Sequence, residues 1–220
     1  MNYSFTKRTG GVSHGAFASF NLGNHVGDSP EDVASNRKIL EDSVGLTQFM
    51  NQVHGNRIAL IEEVTDEVPT ADALITGIPG ISLAVMTADC IPLLLHSRES
   101  VAAVHVGRKG LINDVAIKTV ELMREMGATD ISAILGPSIC GTCYEVSEEV
   151  FNEVIHLHPL AASRTVKNTL SLDLPLALSA ALTGVGVSVE RSEECTVEDL
   201  DYFSYRRDGV TGRQVGVISL

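Results

Sequence analysis

The feature that most constrains this chain is a crowd of short apolar runs near its middle. Ile81 to Met86, Pro92 to Leu95 and Val101 to Val106 read as strands that follow one another directly. Further β-like runs occupy Phe49 to Val53, Arg57 to Ile61, Ile131 to Leu135, Val185 to Val189 and Gln214 to Leu220. Strands therefore outnumber helices, which favours a mixed-sheet α/β or α+β domain over a strictly alternating parallel fold.

Four helices punctuate the strands. Ser29-Pro30-Glu31-Asp32 combines a capping Ser, a first-position Pro and acid in the first turn. Val33, Arg37, Leu40 and Val44 then recur at helical spacing until Gly45. Ile117, Val120 and Met123 mark a second helix ending near Gly127; a third runs from Ser147 to Leu157 before Pro159; a fourth opens at Leu174-Pro175 and closes at Gly184. No repeat, low-complexity tract or linker divides the 220 residues, so a single domain spanning 1–220 is expected.

The net charge of -12 argues against a nucleic-acid surface. An anionic small substrate would need a local cationic patch, and Tyr205-Arg206-Arg207 with Arg213 is the clearest one. Apolar stretches such as Ile131 to Leu135 are too short to span a bilayer, and the first residues lack a secretion-signal pattern. A cytoplasmic protein is expected, with its 4 cysteines mostly reduced.

Three residues stand where strands end or turn outward: His54 in Gln52-Val53-His54-Gly55, Cys90 in Ala88-Asp89-Cys90-Ile91-Pro92, and His105, on one strand face with Val101 and Ala103. Two imidazoles and a thiolate form a donor set suited to zinc. Three protein ligands leave a fourth position for water, phosphate or substrate. Their wide spacing matches no zinc finger, so the fold must bring them together. A metal-free alternative makes Cys90 a nucleophile with His54 or His105 as its base.

Taken in order, the motifs resemble the YfiH or laccase-domain family. They are Ser13-His14-Gly15-Ala16-Phe17-Ala18-Ser19-Phe20-Asn21-Leu22-Gly23, His25-Val26-Gly27-Asp28, Asn36-Arg37, Gln52-Val53-His54-Gly55, Ala71-Asp72-Ala73, Ala88-Asp89-Cys90-Ile91-Pro92, Gly136-Pro137, Cys143-Tyr144-Glu145-Val146, Phe203-Ser204-Tyr205-Arg206-Arg207-Asp208-Gly209 and Thr211-Gly212-Arg213. The resemblance implies a compact α/β sandwich with Zn²⁺ on His54, Cys90 and His105. It also implies a purine nucleoside phosphorylase that cleaves adenosine, inosine or 5′-methylthioadenosine with phosphate, giving base and ribose-1-phosphate, and that deaminates adenosine as a side activity. Purine nucleosides and phosphate are then the expected partners. Cys90 and Asp89 are the expected catalytic residues, and Arg206, Arg207, Lys109 and Arg37 the expected phosphate or nucleoside contacts. One departure stands out: where the family reads His-Ala-Gly-Trp-Arg-Gly, this chain reads His105-Val106-Gly107-Arg108-Lys109-Gly110. Lys109 supplies charge without the bidentate fork of Arg. A catalytically weakened nucleoside-binding protein is the alternative this change motivates.

The remaining candidates have plainer readings. Cys140-Gly141-Thr142-Cys143 has no second C-x-x-C to complete a zinc site, which makes packing the better explanation, and Cys195 stands alone. His156-Leu157-His158 looks like a copper-oxidase motif, but a multicopper centre needs about ten imidazoles, and the chain has 7 His. His25 reads as a loop-packing residue. Arg37 fits a helix salt bridge as well as a substrate contact. Asp89 serves equally as a partner orienting a ligand, a proton carrier or a buried hydrogen-bonding group.

Overall fold

The computed structural model describes residues 1–220. Its largest sheet has six strands in the order β11 (Ser188–Arg191), β8 (Ser132–Leu135), β6 (Ile91–His96), β7 (Val101–Val106), β4 (Ala73–Thr76) and β3 (Ile58–Leu60). A four-stranded sheet runs β1 (Asn2–Phe5), β12 (Gln214–Ser219), β5 (Ser82–Thr87), β2 (Thr47–Gln48), and β9 (Ala162–Arg164) pairs with β10 (Leu170–Leu172). The central pair β6–β7 is antiparallel, whereas β11–β8, β3–β4 and β2–β5 are parallel. The sheets are mixed, as the strand succession predicts.

The layering follows from strand alternation. On β7, Val101 and Ala103 face the smaller sheet, packing with Leu83 and Val85 of β5 and Leu94 of β6. Ala102, Val104 and Val106 point the other way, onto helices α3 (Val115–Glu125) and α5 (Leu174–Gly184). Ala84 and Met86 of β5 face Leu40 of α1 (Pro30–Val44). The two sheets are thus sandwiched between helical layers, and β5 and β7 are buried on both faces. That is why they read as unbroken apolar runs rather than alternating ones. No helix is long and apolar enough to cross a membrane.

The helix signals act as expected. Ser29 accepts the Asp32 amide at 3.2 Å, Pro30 opens α1, and Gly45 ends it at φ 84. Ser147 caps α4 (Glu148–Leu157), and Asp173 caps α5.

Two expected strands need correction. Phe49 to Val53 is not a strand: pairing with β5 stops at Gln48, Asn51 makes only an isolated bridge to Thr70, and the Gln52 side-chain amide reaches β5 by bonding Met86 O at 2.7 Å and Met86 N at 2.8 Å. The run at Val185 to Val189 begins later, at Ser188, because α5 extends to Gly184 and Gly186 turns the chain at φ 80. Sequence reading missed the edge strand β1, the four-residue β4, the β9–β10 pair, and two short helices, α2 (Arg108–Ile112) and α6 (Tyr205–Asp208).

Candidate active site

Asp72, fully buried just before β4, organises the site. Its Oδ1 accepts the His54 amide at 2.9 Å, and its Oδ2 accepts the amides of Val53 and Gly55 at 3.2 and 2.7 Å. The carboxylate thereby holds His54 in a left-handed turn, φ 58, a conformation unfavourable for a residue with a side chain unless neighbours enforce it. The same Oδ1 lies 2.9 Å from Nδ1 of His105. That bond places the ring proton on Nδ1 and leaves Nε2 free as a donor atom. The Asp72 carbonyl also accepts the His105 amide at 2.8 Å, so one residue fixes both imidazoles.

Cys90 enters from the bend just before β6. Its Sγ is 4.0 Å from His54 Nε2, and the His54 and His105 rings meet edge to face at 4.7 Å. The donor atoms of His54, Cys90 and His105 all lie within 4.8 Å of one another. A tetrahedral zinc spaces a sulfur and a nitrogen ligand by about 3.6 Å, so the cluster fits that ion after a small contraction. Gly107 keeps the space open: a Cβ there would stand 2.8 Å from Cys90 Sγ and 3.4 Å from a His54 ring carbon. Without metal the groups form an ion pair. Burial opposes ionisation of Cys90, but the charge and hydrogen bond of His105, aided by His54, outweigh it and hold the thiol at about 6. Burial likewise opposes the charge on His105, yet the Cys90 thiolate and Asp72 raise it to about 9.

The cluster forms the floor of a cleft of about 410 Å³. Arg206, Arg213, Tyr144, Arg108, His25, Gln52 and Met86 are among the residues that line it. Thr87 also lines it, and its buried hydroxyl has no protein partner. Asp89 sits at the rim with φ 93, accepting Thr196 Oγ1 at 2.7 Å and the Arg206 amide at 2.6 Å. Its carboxylate organises the wall through those two bonds.

The expected cationic contacts separate. Arg206 reaches the cleft, its guanidinium 5.1 Å over the Tyr144 ring and bonded to Glu145 O at 2.7 Å. Arg207 does not line it. Its guanidinium is taken up by the carbonyls of Thr196 and Tyr202, both at 2.8 Å, and by a fork onto Asp208 at 2.9 and 2.8 Å. Here Arg207 braces the segment from Thr196 to Tyr202 instead of lining the cleft. Lys109 faces an outer groove with Glu149 and Glu153, whereas Arg108 lines the cleft and pairs with Glu153. Arg37 lies behind the cleft, bonded to Leu22 O at 3.0 Å and 4.0 Å over the Phe49 ring, so it makes neither the salt bridge nor a contact with the main cavity. His25 is exposed and lines the cleft rather than packing a loop. Asp72 is missing from the expected site residues, although it stands in the motif Ala71-Asp72-Ala73, whereas Arg213, expected only as part of the cationic patch with Arg206 and Arg207, lines the cleft.

Fold and site together define a class: a mixed α/β sandwich with a thiolate and two imidazoles on the floor of an arginine-walled cleft. The chain belongs to the family described as multi-copper polyphenol oxidoreductase laccase, whose model matches residues 2–220. Among curated relatives, a protein of Corynebacterium glutamicum named purine nucleoside phosphorylase is 43% identical, over 98% of this chain and 93% of its own length. One of Streptomyces coelicolor with the same name is 42% identical over 100% of this chain and 95% of its own. Among solved structures, a Neisseria meningitidis protein superposes with a TM-score of 0.92 at 38% identity, covering 99% of this chain and 93% of that one. Bacillus licheniformis YfiH superposes at 0.90 and 31% identity, covering 99% and 92%. The resemblance to the YfiH family drawn from the motifs is correct. His156 and His158, at the C-terminal end of α4, do not line the cleft.

Proposed function

We propose that this chain is a cytoplasmic, zinc-dependent purine nucleoside phosphorylase. It would act on adenosine, inosine and 5′-methylthioadenosine and deaminate adenosine as a side activity. One observation carries the reading: His54, Cys90 and His105 converge at the base of a cleft whose wall presents Arg206 and Arg213. The names of the relatives support the phosphorylase assignment. In phosphorolysis the bond from the base nitrogen to C1′ breaks and a phosphate oxygen bonds C1′. The chain must therefore bind a dianion beside a sugar, a task for positioned guanidinium groups. Tyr144 and Tyr205 offer aromatic surface to the purine, and the unpartnered Thr87 hydroxyl suits a polar ligand. Bound zinc would supply Lewis acidity at the floor, held by His54, Cys90 and His105.

Nucleosides incubated with and without phosphate and separated by chromatography test the reading. Free base should appear only with phosphate, and inosine should form from adenosine in either case. Cys90→Ala should lose one zinc equivalent and both activities; full turnover by that variant would refute the assignment. The thiolate–imidazolium pair gives the Cys-His hydrolase reading its specific support. That reading would be favoured by activity that survives removal of metal yet is abolished by thiol alkylation.

A further inference from the structure

Three of the chain's four cysteines lie outside the cleft, in one cluster. We infer that Cys140, Cys143, Cys195 and Glu198 form a second metal site, a closed one with three thiolates and a carboxylate, suited to zinc. The four donor atoms lie within 4.8 Å of one another. The inference does not depend on the activity proposed above.

Two similar turns build the site. After β8, the amides of Cys143 and Tyr144 both bond Cys140 O at 3.1 Å, which puts the side chains of Cys140 and Cys143 on one side of a tight loop. Farther along, the amides of Glu198 and Asp199 bond Cys195 O at 3.1 and 2.8 Å, and this repeats the geometry for Cys195 and Glu198. A parallel bridge between Ser138 and Cys195 sets the turns face to face, with the Thr196 amide on Ser138 O at 3.1 Å. The Cys140 amide points at Cys195 Sγ at 3.4 Å, the kind of bond that stabilises a thiolate.

Packing does not account for this arrangement. Incidental cysteines behave as small apolar groups, yet here a carboxylate oxygen of Glu198 lies 3.5 Å from Cys143 Sγ. A single disulfide would use two sulfurs and leave the third thiol and the carboxylate unexplained. Three sulfurs and an oxygen at two spaced turns instead match the ligand chemistry and two-residue spacing of a structural zinc site. With four protein donors no position stays open for substrate, so the ion would be structural.

Its purpose follows from the neighbours. Ile139 and Tyr144, adjoining Cys140 and Cys143, line the cleft, and Arg206 lies over the Tyr144 ring. Thr196, adjoining Cys195, donates to Asp89, and its carbonyl anchors Arg207. An ion here would clip two surface loops into the wall that carries Arg206.

The test is zinc content of protein purified with thiol reductant and no chelator. Wild type should carry about two equivalents per chain, and the His54→Ala/Cys90→Ala variant about one. Loaded with Co²⁺, that variant should show an intense thiolate-to-cobalt charge-transfer band, which Cys143→Ser added to it should weaken strongly. The wild-type stoichiometry needs no variant to fold. No zinc in wild type, a His54→Ala/Cys90→Ala protein without metal or cobalt band, or a Cys140–Cys143 disulfide in protein prepared under nitrogen would each overturn the site, whereas about one equivalent that the His54→Ala/Cys90→Ala variant retains would count against metal in the cleft and not against this cluster.

Discussion

Arg206 and Arg207 are adjacent in sequence, yet the structure gives them separate tasks that substitution can resolve. Arg207→Ala removes two short charge-assisted bonds, to the carbonyls of Thr196 and Tyr202, two longer ones to those of Val197 and Asp199 at 3.3 Å, and the fork onto Asp208. Hydrogen bonds involving a charged group contribute about 1.5–3 kcal/mol each. The side chain keeps 19% of its exposure, so water can partly replace the lost donors. The Asp208 pair, itself partly exposed, adds at most about 1 kcal/mol. A net loss of about 2–4 kcal/mol follows, which for a chain of this size lowers Tm by about 5–15 °C. Arg206→Ala removes one bond to Glu145 O and the contact with Tyr144, both at an exposed position. It should cost stability no more than about 1 kcal/mol but raise the half-saturating phosphate concentration roughly ten- to hundred-fold. Thermal unfolding and phosphorolysis against phosphate concentration, run on both variants, separate the two roles. If Arg207→Ala keeps the wild-type Tm while its phosphate requirement climbs, the brace assignment fails and the adjacent arginines act together on substrate.

Three further outcomes are expected. Asp72→Asn should weaken zinc binding about ten- to hundred-fold, read by chelator competition, because the amide cannot satisfy three backbone donors and His105 at once. Gly107→Ala should lower zinc occupancy of the cleft while circular dichroism stays native, since the added methyl meets Cys90 Sγ. Arg207 holds the Asp208 carboxyl below its ordinary range, so that contribution is present above the unfolded carboxylate pKa and is lost as pH falls through the lower folded value. The Tm gap between wild type and Asp208→Asn should therefore close below about pH 4, and a gap that persists or widens in acid would exclude the linkage.

The parts of the structure legible in the sequence are those where local chemistry and tertiary packing agree. Ser29-Pro30 opens α1 and Gly45 closes it because cap and turn preferences act within a few residues. His105 was readable as facing with Val101 and Ala103 because strand alternation is strict. Phe49 to Val53 misled because Phe49 and Met50 are buried there while the link to β5 is made by the Gln52 side chain, which no periodicity reveals. Residue type could not separate Arg206 from Arg207, since only the path of the Cys195–Tyr202 segment decides which guanidinium meets carbonyls. The second cysteine cluster was hidden for a similar reason. Cys140 and Cys143 announce half a site, but their partners arrive from a segment more than fifty positions away, as the Cys140–Cys195 contact shows.

Arg108 and Lys109 occupy different places relative to the cleft. Lys109 lies in the outer groove, so its shorter reach and lack of a fork do not bear on the cleft. Arg108 does line the cleft, but its guanidinium pairs with Glu153 of α4. A guanidinium already matched to a carboxylate offers a dianion less net attraction than one held only by carbonyls, as Arg206 and Arg213 are. The positive charge available to phosphate therefore comes mainly from the wall carrying Arg206 and Arg213. That wall is also where Asp89, one residue before Cys90 of the floor, accepts the Arg206 amide. Floor and wall thus meet at a single carboxylate, so a shift of Cys90 would be felt at Arg206 through one peptide unit and one hydrogen bond. Loss of the family's Trp-Arg pair leaves this connection intact, and on that ground a working site is a better reading of the chain than a weakened one.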